Sequence, residues 1–239
     1  MLARIACLWL NEQEGTERKS LVMSDFTTRR QTMVDTQVRP SDVTKFPIID
    51  AMLSVPRELF VPADKREAAY VGEHVGLGGG RVILDPRTLA KMLETADIQP
   101  DELVLDIGAG FGYSSALAAR LSEAVIALED DGGRVAEAER ALAEAGIDNV
   151  AVVEGVLTEG AEKHGPYDVI LVQGAVQTMP EAITRQLKES GRIVAIFHDG
   201  ALGAVRVGYN IDGAISWRFA FNAGAPVLQG FEAEQAFVL

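Results

Sequence analysis

Residues 103–113 read Leu103-Val104-Leu105-Asp106-Ile107-Gly108-Ala109-Gly110-Phe111-Gly112-Tyr113, and this stretch decides the fold. Its first five residues form the mainly apolar run expected of a parallel strand buried on both faces. Three glycines at alternate positions follow, and Ser114 to Leu121 then reads as a helix. A glycine-rich turn between strand and helix lets a ligand approach the backbone and presents free N–H groups to it. The spacing is G-x-G-x-G. A dinucleotide fingerprint, G-x-G-x-x-G, would need its third glycine at Tyr113, so the turn speaks against a nicotinamide dehydrogenase.

Working outward, Val125-Ile126-Ala127-Leu128-Glu129 is a second apolar run ending in a carboxylate. Glu129 follows Gly108 by 21 positions, the offset at which open α/β folds place an acidic residue for ribose hydroxyls. A carboxylate accepts hydrogen bonds from both hydroxyls of a ribose. The alternative is that Glu129 opens a polar loop with Asp130 and Asp131. Val150–Val153, Tyr167–Gln173 and Gly191–Phe197 predict three further strands. Ala204–Tyr209 and Ile215–Phe221 alternate as an antiparallel pair turned at Asn210–Gly213.

Helices are predicted between and before these runs. One spans about Phe26 to Val38 and ends at Arg39-Pro40. A second carries Phe46, Ile49, Met52 and Leu53, with Ser41 as its cap. A third starts at Pro86 and buries Leu89, Met92 and Leu93. Arg134 to Ala145 is closed by Gly146, and Met179-Pro180 begins a helix running to about Leu187-Lys188. Gly78-Gly79-Gly80 marks a flexible or sharply turned segment before Arg81.

Composition narrows the function classes. The chain has 239 residues, 48% of them apolar, which suits a globular domain with a sizeable core. A net charge of −13 argues against nucleic acid as the main partner, since phosphate neutralisation needs clustered Lys and Arg. Cys7 is the one cysteine, so no intramolecular disulfide forms and a reducing cytoplasm is expected. One Cys and three dispersed His suggest no metal site. Ile5–Leu10 is too short for a membrane span. Met23 is the expected translation start, with residues 1–22 a disordered tail or an upstream artefact, the competing reading being a short amphipathic arm.

The glycine turn resembles the first motif of the S-adenosylmethionine-dependent methyltransferases. That likeness implies that Asp106 ends its strand near the cofactor's amino-acid portion. It also implies that Gly108, Gly110 and Gly112 pass under the ribose and methionine. A narrower likeness lies upstream. Met33-Val34, Gln37, Asp50-Ala51-Met52, Val55-Pro56-Arg57-Glu58-Leu59-Phe60-Val61-Pro62 and Ala69-Tyr70 resemble the protein-L-isoaspartate O-methyltransferases. The likeness runs roughly from Phe26 to Gly213.

The resemblance implies a doubly wound, seven-stranded Rossmann-like α/β sheet closed by the hairpin, with an N-terminal helical extension. Residues 23–85 would carry the extension and acceptor-side loop, and 86–239 the S-adenosylmethionine-binding domain. The candidate cofactor contacts are then Glu129 by its offset, Glu154 and Gly155 after the third strand, with Glu154 a substitute for a family Asp, and Gln173 at a strand's carboxyl end where open sheets place ligands. In the family a T-I-S-x-P segment brings Thr and Ser hydroxyls to the substrate carboxylate. Here Val82 and Leu84 stand at those positions, and Ile83 and Pro86 remain.

The departure removes donors for a carboxylate, and an unpaired buried carboxylate is costly. Arg81 and Asp85 are the nearby polar groups that could act instead, Arg81 by pairing an anionic acceptor, or both are solvated loop charges. The family's adenine-reading Asp is Val156 here, with Glu154 nearby. Two readings stand: a methyltransferase whose unidentified acceptor, a protein or peptide carboxylate being one candidate, enters near residues 78–86 and 173–176, and a non-catalytic relative acting as a binding or regulatory module. The tail from Pro226 is expected to cover the acceptor side.

Overall fold

The computed structural model describes residues 25–199 and 202–233. The expectations for residues 1–22, for a start at Met23 and for the tail beyond 233 lie outside the described residues. Among the described residues, seven strands form one sheet: β3 (Leu103–Ile107), β4 (Ala124–Glu129), β5 (Val150–Glu154), β6 (Tyr167–Val176), β7 (Leu187–Asp199), β8 (Leu202–Ile211) and β9 (Ala214–Asn222). Their spatial order is β5-β4-β3-β6-β7-β8-β9. The first five pair in parallel, and β8 and β9 add antiparallel at one edge.

Strand composition follows from the two covered faces. Side chains alternate along a strand, so Val104 joins the core on one face while Leu105 and Ile107 join the core on the other. Both faces are roofed, hence the unbroken apolar runs. The first face packs α1 (residues 25–38), α2 (Phe46–Ser54), α3 (Pro86–Ala96), α4 (Tyr113–Ala119) and the end of α5 (Gly132–Glu144). The second holds Leu157, Ile183, Leu228 and Phe231 under short helical turns and the chain's last described segment.

Several expectations need correction. The last turns of α1, Val34–Val38, widen to a π-helical turn. Ser41 does not cap α2; its hydroxyl donates to the Gln37 carbonyl, and α2 begins after Lys45 with a proline in its first turn. The helix expected from Met179 to Lys188 shrinks to α6 (Glu181–Thr184). Strand β7 captures the remainder, because Leu187 pairs with Tyr167, whose N–H bonds the Gln186 carbonyl. The triglycine stretch, in contrast, is the sharp turn its glycines imply: it joins an antiparallel hairpin, β1 (Val75–Gly78) and β2 (Arg81–Ile83), a two-stranded sheet separate from the main one.

Three features position the site. The carboxyl ends of β3, β4, β5 and β6 converge on one edge of the sheet. The β1–β2 hairpin reaches over that edge. The segment after β9 returns to it, with Ala175 N–H bonded to the Pro226 carbonyl and Leu228 N–H bonded to the Ala175 carbonyl. Among the described residues no helix is long and apolar enough to cross a membrane, and no group of three His, Cys, Asp or Glu is placed to hold a metal ion.

Candidate functional site

The glycine turn leaves β3 at Gly108 with φ of +75° and passes Gly110 at +61°, values that a side chain would strain. The backbone amides of Gly108 and Ala109 donate to the Leu128 carbonyl, tying the turn to β4. The hydrogen at Cα, where other residues carry a side chain, also matters. A Cβ on Gly108 would meet Arg81 Nη2 at 2.6 Å, and one on Gly110 would meet Leu77 Cδ1 at 2.5 Å. Gly112 looks elsewhere: a Cβ there would face Leu142 and Ala138 of α5.

Asp106 is fully buried beneath the turn. Its Oδ2 accepts from the hydroxyls of Ser114 and Ser115 at 2.6 Å each, and its Oδ1 from Gln173 Nε2 at 2.7 Å. Burial pushes its carboxyl above the usual range, and the three donors pull it back. Gln173 sits at an irregularity in the β6–β7 ladder between Leu171 and Ala175. Such a break re-aims side chains at strand ends. The structure thus brings Asp106 and Gln173 together across β3 and β6.

Glu129 is the most heavily subscribed side chain here. Its Oε1 accepts from Arg81 Nη1 at 3.0 Å, Arg134 Nε at 2.8 Å and the Asp130 amide at 3.2 Å. Its Oε2 accepts from Arg81 Nη2 at 3.0 Å and the Gly110 amide at 2.7 Å. Arg81 is therefore no solvated loop charge: 6% of its side chain is exposed, and it forms a bidentate pair with Glu129. Burial raises the Glu129 carboxyl above its ordinary range despite both arginines. Burial would raise Asp130 too, but hydrogen bonds from its neighbours outweigh it and the carboxyl ends below the usual range. Glu129 is not the opening of a polar loop; its side chain is buried at the strand's carboxyl end.

Beyond Glu129 opens a cleft of about 860 Å³ lined by Asp130, Glu154, Gly155, Val156, Thr158 and Gln229. Glu154 ends β5 in register with Glu129, and its carboxylate leans toward Gly132 at the start of α5. Val156 exposes 54% of its surface in this cleft. Thr158 and Gln229 carry no motif, and sequence reading missed both. Gln229 arrives only because the last segment pairs with β6. A second cleft of about 580 Å³, bounded by Lys45, Leu93, Asp97 and Leu121, lies at the opposite, amino ends of the strands, away from the edge where open parallel sheets bind ligands.

On the hairpin side, Asp85 caps α3: its Oδ1 accepts from the Thr88 amide at 2.9 Å, and its Oδ2 lies 3.4 Å from His74 Nδ1. It is neither a solvated charge nor free toward the cleft. Leu84 is 1% exposed and packs in the core. Its carbonyl accepts from Arg57 Nη2 at 2.9 Å, while Arg57 Nε donates to the Ala69 carbonyl at 2.7 Å. Arg57 is fully buried, its guanidinium 4.7 Å from the Tyr113 ring centre, and burial lowers its pKa. A charge inside the apolar Val55–Pro62 run was the available signal for that role. The tail covers the cleft edge: Leu228, 2% exposed, stands over Gly174 and reaches Gly108.

Comparison with known proteins identifies the family and agrees with the fold. The family described as "Protein-L-isoaspartate(D-aspartate) O-methyltransferase (PCMT)" matches residues 28–208. A protein-L-isoaspartate O-methyltransferase of Roseiflexus castenholzii is 37% identical over 170 residues, 71% of this chain and 78% of that protein. A solved protein-L-isoaspartate O-methyltransferase superposes with a TM-score of 0.73 at 24% identity, covering 84% of this chain and 66% of the other. A Plasmodium falciparum chain described as a protein-L-isoaspartate O-methyltransferase, in complex with S-adenosyl-L-homocysteine, gives 0.72 at 19% identity, covering 85% and 97%. The chain belongs to the protein-L-isoaspartate O-methyltransferase family.

Proposed function

We propose that the chain is an S-adenosylmethionine-dependent methyltransferase whose acceptor is a carboxylate on a protein or peptide. One observation carries the reading: Glu129 faces the positive-φ glycine turn at the carboxyl end of a parallel sheet, beside an open cleft. The donor set suits the cofactor. Glu129 is the carboxylate placed to accept from a ribose diol, its oxygens here held by Arg81, Arg134 and two backbone amides, and the cleft's exposed Val156 offers an apolar face to a purine. The Gln229 carboxamide carries both a donor and an acceptor for the adenine edge. Family membership supplies the reaction class.

When bound, the cofactor supplies an electrophilic methyl group on a sulfonium. The acceptor carboxylate is itself the nucleophile, so the chain needs no general base. Its residues orient the partners and exclude water. Glu129, Asp130 and the turn would hold the nucleoside; Asp106 and Gln173 would fix the floor of the site; Leu77 and Val82 would keep it dry. The apolar residues at 82 and 84 also favour a second reading, a binding module that retains the nucleoside pocket without transfer.

The test of the cofactor site is thermal unfolding with S-adenosylhomocysteine. Ligand at about 100 times its Kd stabilises the fold by about 2.7 kcal/mol, a rise of several degrees, while NAD leaves the midpoint unchanged. No shift with S-adenosylhomocysteine at millimolar concentration overturns the reading.

A further inference from the structure

The glycine turn and Glu129 are covered by the chain's own hairpin. Five donors converge on Glu129, and a carboxylate offers about four lone-pair positions. Two of those donors, the Gly110 and Asp130 amides, are fixed by the backbone, and Arg134 rides on the first turn of α5. The other two come from Arg81, on the separate two-stranded sheet. Its Nη2 lies where a Cβ of Gly108 would point, and Leu77 of the same hairpin lies where a Cβ of Gly110 would point. A ligand lying on the turn needs both places.

We propose that Arg81 is an internal occupant of the ribose subsite, and that a nucleoside binds by displacing its guanidinium from Glu129 as the β1–β2 hairpin withdraws. The inference rests on the methyltransferase reading above.

The hairpin is built for such a movement. Of its turn residues, Gly78 and Gly80 have nothing within 4 Å of where a Cβ would be and Gly79 faces Arg134 Nη1 at 3.8 Å, so the tip is loosely packed. A register irregularity between Gly76 and Gly78 interrupts its ladder. Its base is anchored, with Val75 and Ile83 buried and Lys65 Nζ donating to the Gly76 carbonyl at 2.6 Å. The closed arrangement is also incompletely satisfied: Arg81 Nε is buried and lacks a hydrogen-bond partner among the described residues. A buried donor left unpaired is costly, which lowers the barrier to exchanging this contact for another.

An internal occupant reduces ligand affinity by the fraction of molecules in which the site is open. Removing it raises affinity, whereas removing a merely structural salt bridge does not. The experiment is calorimetric titration of S-adenosylhomocysteine into the full chain and into Arg81→Met, which keeps the apolar stem. Hydrogen–deuterium exchange of residues 75–83 in the wild type is measured alongside, with and without the same ligand. The expected result is at least about tenfold tighter binding by the variant and faster hairpin exchange in the liganded wild type. Wild-type binding that the variant does not improve, with hairpin exchange unchanged or slowed, overturns the proposal and leaves the methyltransferase reading standing. Absence of binding in both proteins overturns both. Should Arg81→Met not fold, the wild-type exchange measurement decides alone.

Discussion

Arg57 and Leu84, 27 positions apart, are joined by a 2.9 Å hydrogen bond from a buried guanidinium to a backbone carbonyl. The bond fixes the chain immediately before α3, at the residue that the T-I-S-x-P resemblance aligns with a serine. With its backbone held this way, the Leu84 side chain lies in the core at 1% exposure. Restoring the family residue is therefore no simple repair. Leu84→Ser is expected to cost about 2–5 kcal/mol, as large-to-small core changes do, seen as a lowered denaturation midpoint at unchanged m-value.

Val156 behaves oppositely, being exposed in the cleft. Val156→Asp is expected to leave stability within about 0.5 kcal/mol. It is also expected to tighten S-adenosylhomocysteine binding about tenfold, by a charged hydrogen bond of about 1.5 kcal/mol to the adenine amino group. Titration checks this, and unaltered affinity would place the adenine elsewhere in the cleft.

Glu129 is the counter-charge for two arginines in a buried setting. Glu129→Gln leaves Arg81 with Asp130 alone at 3.2 Å, and is expected to destabilise the fold by about 3 kcal/mol and to weaken nucleoside binding. Thermal unfolding and titration read the two effects separately.

Asp168 supports an acid-side prediction. Burial would raise its carboxyl, but the Leu103 amide at 2.8 Å and Lys188 at 2.7 Å hold it below the ordinary range. A carboxyl with a depressed folded pKa stabilises above its unfolded pKa, and the contribution is lost as pH falls through the folded value. Between about pH 5 and about pH 2, Asp168→Asn is expected to lose less stability than the wild type. Parallel slopes in that window would contradict the assignment.

Much of this was legible from residue order. The apolar runs of β3 to β6 announce a sheet covered on both faces, and the G-x-G-x-G spacing with Glu129 marks the carboxyl edge of its parallel strands. The hairpin at 204–221 reads from alternation alone. The remainder depends on contacts between distant residues. Nothing local distinguishes Arg81 as a loop charge from Arg81 as the partner of Glu129, 48 positions away. Gln186 and Leu187 read as helix until their ladder with Tyr167 is known. Gln229 enters the cleft through backbone pairing that any sequence there could make. Asp85 was the opposite case, since an Asp directly before a helix-opening Pro is a legible cap.

The most direct measurement is methyl transfer. The full chain is incubated with methyl-labelled S-adenosylmethionine and an isoaspartyl peptide, with the aspartyl peptide as control. Label is read as a base-labile ester that releases methanol. The predicted result is ester formed on a carboxylate acceptor and lost in Glu129→Gln. Cofactor binding without a labelled ester on the peptide or on a panel of aged proteins would contradict it and leave a binding module on a methyltransferase fold.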